Sequence, residues 1–143
     1  MKVKDFMTTN VAYVTPNTPV VEIAKIMKDK NVGSVPVLDG DKVVGIVTDR
    51  DIVLRDIAFG KNPNEVLAKD VMTVGVTTAN PNMDIHDAAR IMAEKQVRRL
   101  PVVENGRLVG MLAIGDIAVE SKLADDAGEA LSDISKPTHI LYY

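Results

Sequence analysis

Val44-Gly45-Ile46-Val47-Thr48-Asp49-Arg50-Asp51-Ile52 is answered 65 positions later by Val109-Gly110-Met111-Leu112-Ala113-Ile114-Gly115-Asp116-Ile117, and the same displacement runs without a gap through most of the chain. It carries Met7-Thr8 onto Met72-Thr73, Val11 onto Val76, Pro16-Asn17 onto Pro81-Asn82, Ala24 onto Ala89, Ile26-Met27 onto Ile91-Met92, and Pro36-Val37 onto Pro101-Val102. A fixed period of this kind is the mark of an internal duplication. In each copy a short apolar run ends at a helix start with an aspartate in its first turn, so a strand leads into a helix.

Working outward, each copy opens with a short strand, residues 11–14 and 76–79, followed by a Pro- and Asn-containing turn. A helix follows, for which Thr18 is the expected N-cap with Pro19 at the first helical position and Glu22 in the first turn. Val20, Ile23, Ala24 and Met27 fall on one face, and Ile85, Ala88, Ala89 and Met92 repeat that stripe; methionines at this spacing read as core. Residues 35–38 and 42–47 form a hairpin around Asp39-Gly40-Asp41, repeated at Glu104-Asn105-Gly106. The helix that starts at Thr48 is expected to run to about Ala58. The fold class is therefore α/β of the α+β type: two βαββα repeats packed with pseudo-twofold symmetry into one module. The expected divisions are 1–60 for the first repeat, 61–68 for a linker, 69–122 for the second repeat and 123–143 for a tail. A unit of about sixty residues buries little apolar surface alone, so the repeats are expected to pack together and to bind along their seam. Within the tail, Leu123, Ala127, Ala130, Leu131 and Ile134 suggest a short amphipathic helix before Pro137, and Ile140-Leu141-Tyr142-Tyr143 a docking or dimer contact.

Composition narrows the function. The 143 residues carry a net charge of −3, 3% aromatic residues and no cysteine, with a pI near 5.3. A basic face that grips nucleic acid through phosphates is not expected, nor are base-stacking platforms. Disulfides, thiolate chemistry and cysteine-based zinc sites are excluded. No signal-peptide core or membrane-length apolar stretch is visible, so a cytoplasmic protein is expected.

The stretch of most chemical interest is Thr48-Asp49-Arg50-Asp51. As Thr-x-x-Asp at a helix start it reads as a capping box, with Thr48 and Asp51 exchanging hydrogen bonds with each other's backbone. The same helix start also suits a phosphate, with Thr48 adding a hydroxyl and Asp51 accepting from a ribose diol. In the second copy the box becomes Ala113-Ile114-Gly115-Asp116: the hydroxyl is lost and the carboxylate stays, which favours a ligand role for the carboxylates. Arg98 and Arg99 precede the second copy's hairpin, where the first copy has Gly33 and Ser34. Paired arginines are usually solvated, yet guanidinium also grips phosphate bidentately. The two potential sites are therefore unequal. His86 and His139 have no partner at ligand spacing, and no Ser/His/Asp pattern, Walker loop or Gly-x-Gly-x-x-Gly is present.

These residues resemble tandem cystathionine beta-synthase (CBS) domains, the paired arrangement called a Bateman module. The carriers are Met7-Thr8, Pro16, Ala24 with Met27, Val35-Pro36-Val37 and Gly45-Ile46-Val47-Thr48-x-x-Asp51, then Met72-Thr73, Pro81, Ala89 with Met92, Arg99-Leu100-Pro101-Val102 and Gly110 with Asp116. The match covers about residues 1–120, and the whole chain is similar to small stand-alone bacterial pairs, among them the hypoxic-response type. The resemblance implies two clefts between the repeats that hold AMP, ADP or ATP, or less often NAD or S-adenosylmethionine. It assigns phosphate and ribose to Thr48 and Asp51, with Arg50 beside them, and ribose to Asp116. It points to Val32, Gly33 and Ser34, and to Val97, Arg98 and Arg99, as residues lining the opposite copy's cleft, and to backbone near Val11-Ala12 and Val76-Thr77 for the base. It also implies a homodimer. The expected function is a non-enzymatic, ligand-sensing regulatory module for an adenine nucleotide, suited to energy sensing and requiring no cofactor or metal. The alternative is a protein-interaction module with vestigial or empty clefts that regulates an unidentified protein partner.

Overall fold

Two antiparallel hairpins carry the architecture in the computed structural model, which describes residues 1–137. The first pairs β1 (Ser34–Asp39) with β2 (Lys42–Thr48), and its turn places the one positive φ at Gly40 (62°). Chain order before and after this hairpin is α1 (Val20–Lys30), α2 (Asp49–Arg55) and the four-residue α3 (Ala68–Val71). The second half repeats the arrangement with α4 (Ile85–Lys95), β3 (Arg99–Glu104), β4 (Arg107–Ala113), α5 (Ile114–Ala118) and then α6 (Ala124–Ile134). Mixed helices and two small sheets make this an α+β fold.

The chain divides into two compact units, and they do not follow the sequence repeat: one is Ala12–Val76, the other joins Met1–Val11 to Thr77–Tyr143. The first eleven residues thus serve the second copy's hairpin, and the stretch before Val76 serves the first copy's. In the unit Ala12–Val76 the core gathers Val14, Val20, Ile23, Val35, Val37, Val47 and Ile52 with Ala68 and Val71 from beyond the connector. In the other unit Val3, Ile85, Met92, Leu100, Leu112, Ile117 and Leu123 are fully buried.

Several local expectations are corrected. Residues 11–14 and 76–79 are not strands: Val14 and Ala79 each make a single parallel bridge, to Val37 and Val102. Pro16 and Pro81 follow at once, and a residue without an N–H cannot extend a ladder. Thr18 does not cap α1; its hydroxyl accepts from the Thr15 N–H at 3.1 Å. The first N–H groups of α1 are satisfied instead by the connector, Val20 donating to the Val66 carbonyl at 2.8 Å and Val21 to that of Pro63 at 2.9 Å. α2 ends at Arg55 rather than near Ala58, because Asp56 leaves helical geometry (φ −120°, ψ −68°) and a separate 3-10 turn, Ile57–Phe59, follows. The amphipathic tail helix forms as α6; the expected contact of Ile140-Leu141-Tyr142-Tyr143, and His139, lie outside the described residues. Among the described residues no helix is long and apolar enough to cross a membrane.

The repeated core stripe is also unequal. Ala88, Ala89 and Met92 are buried on α4, whereas on α1 Ala24 is exposed and Met27 half-buried. The difference is α6, which packs on α4 and has no counterpart beside α1 among the described residues.

Candidate ligand site

In the unit Ala12–Val76 the last residue of β2 becomes the N-cap of α2. Thr48 Oγ1 accepts from the Asp51 N–H at 3.1 Å, and the Thr48 N–H donates to Asp51 Oδ2 at 3.0 Å, a complete reciprocal cap. The hairpin register sets Ser34 opposite Thr48, and the Asp49 N–H donates to the Gly33 carbonyl at 3.0 Å. Gly33 and Ser34 therefore stand beside Thr48 and Asp51, a grouping that follows from the antiparallel register. Ser34, Thr48 and Asp51 are buried to 8%, 4% and 8% exposure. Arg50 is exposed on the first turn. Val32, 41% exposed, follows the left-handed Asn31 that ends α1.

Two residues that sequence reading did not single out complete this cluster. Thr73 Oγ1 donates to Asp51 Oδ1 and Oδ2, both at 3.4 Å, and Arg55 Nη1 lies 3.8 Å from Asp51 Oδ1. Arg55 Nη1 also donates to the carbonyls of Val71 and Met72, each at 2.9 Å. Arg55 was findable, since it stands four positions from Asp51 on one helix. Thr73 was visible only as half of the repeated Met-Thr pair. α2 has seven residues, so the helix dipole contributes less here than the side chains do.

In the other unit the Ala113 N–H donates to Asp116 Oδ2 at 2.9 Å. The carboxylate half of the cap therefore survives without the threonine, and retention of Asp116 does not by itself argue for a ligand. Arg99 pairs with Ala113 across the hairpin, and the Ile114 N–H donates to the Arg98 carbonyl at 2.9 Å, so the two arginines flank this helix start as Gly33 and Ser34 flank the other. Val97 is fully buried, so its side chain is core and presents no lining surface. Val11 and Thr77 belong to this unit and Ala12 and Val76 to the first, all four half-buried. Among the described residues no three His, Cys, Asp or Glu side chains gather as a metal site.

Two hairpins, each followed by a helix start that carries an aspartate, make this a tandem structural repeat. The CBS domain model matches twice, at residues 3–57 and 68–122, and the chain belongs to the CBS domain family. It is 45% identical over 133 residues to the CBS domain-containing protein YhcV of Bacillus subtilis, covering 93% of this chain and 94% of that one. Among solved structures, Hypoxic Response Protein I with two coordinated zinc ions is similar at a TM-score of 0.76 and 33% identity, over 82% of this chain and 97% of that one. CBSX2 in complex with AMP is similar at 0.70 and 31% identity, over 82% and 92%. The chain is a CBS pair, a module of regulatory type.

Proposed function

We propose that this CBS pair is a non-enzymatic sensor of an adenine nucleotide of the AMP, ADP or ATP kind. The nucleotide is held principally at the start of α2 by Thr48 and Asp51, with Arg50, Gly33 and Ser34 beside them, and more weakly at Asp116 with Arg98 and Arg99. The observation that carries this reading is Asp51. Its Oδ2 is engaged by the Thr48 N–H at 3.0 Å, while Oδ1 is met only by long contacts, 3.4 Å to Thr73 and 3.8 Å to Arg55. Hydroxyl-to-carboxylate bonds shorten to roughly 2.5–2.7 Å when well formed. A ribose hydroxyl on Oδ1 would therefore improve on what the protein itself supplies. The likeness to CBSX2, solved with AMP, supports the ligand class. The Thr48 hydroxyl is absent from the other copy, where Ala113 stands, which is why that position is the weaker one.

The proposed assembly is a homodimer. Val53 and Leu54 on α2 are 54% and 45% exposed, and the repeat sets Ala118, the last residue of α5, and Val119 just after it (86% exposed) at the matching places, so each chain presents an apolar face twice. Sedimentation should give the mass of a dimer.

Mass spectrometry of small molecules released from freshly purified, denatured protein should detect an adenine nucleotide, and the melting temperature should rise with its concentration. Silence in both measurements across a nucleotide panel would favour the second reading, a protein-interaction module. That reading draws on the capping already performed by both aspartates and on the exposed apolar side chains of α2.

A further inference from the structure

The internal repeat allows one half of the chain to be read against the other. α6 lies along α4: His86 Nδ1 and Asp126 Oδ2 are 3.1 Å apart near the start of both helices, and Gln96 Nε2 donates to the carbonyls of Asp133 (2.9 Å) and Lys136 (3.2 Å) near their ends. The two helices therefore run parallel. Ala127 and Ala130 of α6 are buried where it packs on α4 and α5, a narrow seam of small residues that Leu123 closes just before the helix. Flanking it, the carboxylates Asp126, Glu129 and Asp133 line a cleft whose α4 side carries His86, Arg90 and, at its far end, Glu94.

α1 is built to the same plan as α4. Both have eleven residues and both end in a left-handed residue, Asn31 (φ 53°) and Gln96 (φ 54°). The displacement of 65 sets Val21, Ala24, Lys25, Lys28 and Asp29 where α4 has His86, Ala89, Arg90, Ala93 and Glu94. The connector meets the first turn of α1, through the Pro63 and Val66 carbonyls, and beyond it Ala24, Lys25 and Lys28 are exposed. This side of α1 therefore has a small apolar centre and two ammonium groups, the complement of the acidic, alanine-seamed face by which α6 covers α4. Among the described residues the lysines make exposed pairs, Lys25 with Glu22 at 3.4 Å and Lys28 with Asp29 at 4.0 Å. Such pairs hold little energy in water and exchange readily for an incoming carboxylate.

We propose that this side of α1 is a docking surface for an acidic amphipathic helix of a partner protein, one that carries small residues three or four apart with carboxylates on either side. The second half of the chain covers its equivalent surface with its own α6; the first half leaves it for a helix supplied in trans.

A labelled peptide of residues 121–136, with a photo-crosslinking residue in place of Leu131, serves as the probe and is titrated onto the full chain. Saturable binding of one peptide per chain is expected, with crosslinks falling within residues 21–28. The double variant Lys25→Glu/Lys28→Glu, whose fold is checked by circular dichroism, should bind about tenfold more weakly, because both attractions to the peptide's carboxylates become repulsions. Absence of saturable binding overturns the proposal, as does affinity unchanged by the double variant. Crosslinks on α4 overturn it too, because the peptide would then have replaced α6. Self-association that excludes the peptide from α1 would assign this surface to a second copy and likewise overturn it.

Discussion

The Sδ of Met72 lies 2.6 Å from the point a Cβ on Gly45 would occupy, and Met7 stands in the same relation to Gly110. Beside each methionine the threonine closes a strand edge: Thr73 exchanges two backbone hydrogen bonds with Ile46 (2.9 and 3.0 Å), and Thr8 two with Met111 (both 2.9 Å). The Met-Thr pair of one sequence copy thus completes the hairpin of the other, and the glycine is the vacancy its side chain fills. Gly45→Ala should destabilise the chain by about 1–3 kcal/mol through overpacking. In urea unfolding, Met72→Ala should recover part of that loss. Strict additivity of the two substitutions would show that the methionine is not what the glycine accommodates.

Asp51 has two separable duties, and one substitution reads both. Asp51→Ala should weaken nucleotide binding about 10- to 150-fold, the equivalent of losing a charged hydrogen bond worth roughly 1.5–3 kcal/mol. It should also cost about 1 kcal/mol of stability through the lost cap. Asp116→Ala should affect calorimetric affinity less, because Ala113 offers no hydroxyl there. An affinity unaltered by Asp51→Ala would remove that residue from the site while leaving its capping role intact.

Asp56 is fully buried, and among the described residues neither of its carboxylate oxygens has a hydrogen-bond partner. Its backbone explains its position: the Asp56 carbonyl accepts from the Phe59 and Lys61 N–H groups, so the residue is fixed where the chain turns out of α2. An unpartnered buried charge is destabilising. Asp56→Asn should therefore stabilise the fold by about 1 kcal/mol or more in denaturant titration. A loss of stability instead would mean that the carboxylate has a stabilising partner in solution.

The parts legible in the sequence were those decided by neighbours in the chain. Gly40 and the Asn105-Gly106 pair set the hairpins, since each turn needs a positive φ at its glycine (62° and 78°). The capping box at Thr48 spans four residues, Thr48 to Asp51, and is legible as a cap. Thr18 failed as a cap because its competitor, the connector carbonyls of Pro63 and Val66, arrives from more than forty positions away. Thr73 escaped notice for the same reason, since it reaches Asp51 across 22 residues. Ala24 and Ala89 are the same residue at the same helical position, yet one is exposed and the other buried. Nothing local distinguishes them; α6 does.

The sequence by itself determined the duplication, its period of 65, the two hairpins and the helix starts that follow them, because turn chemistry and capping act over a few residues. Only the tertiary structure decided which segment completes which core. Residues 1–11 joined the second copy, the stretch ending at Val76 joined the first, and α6 covered one of two equivalent helices. Those choices rest on long-range burial, a Met side chain over a glycine or a helix over an alanine stripe, and burial depends on what else has already packed nearby.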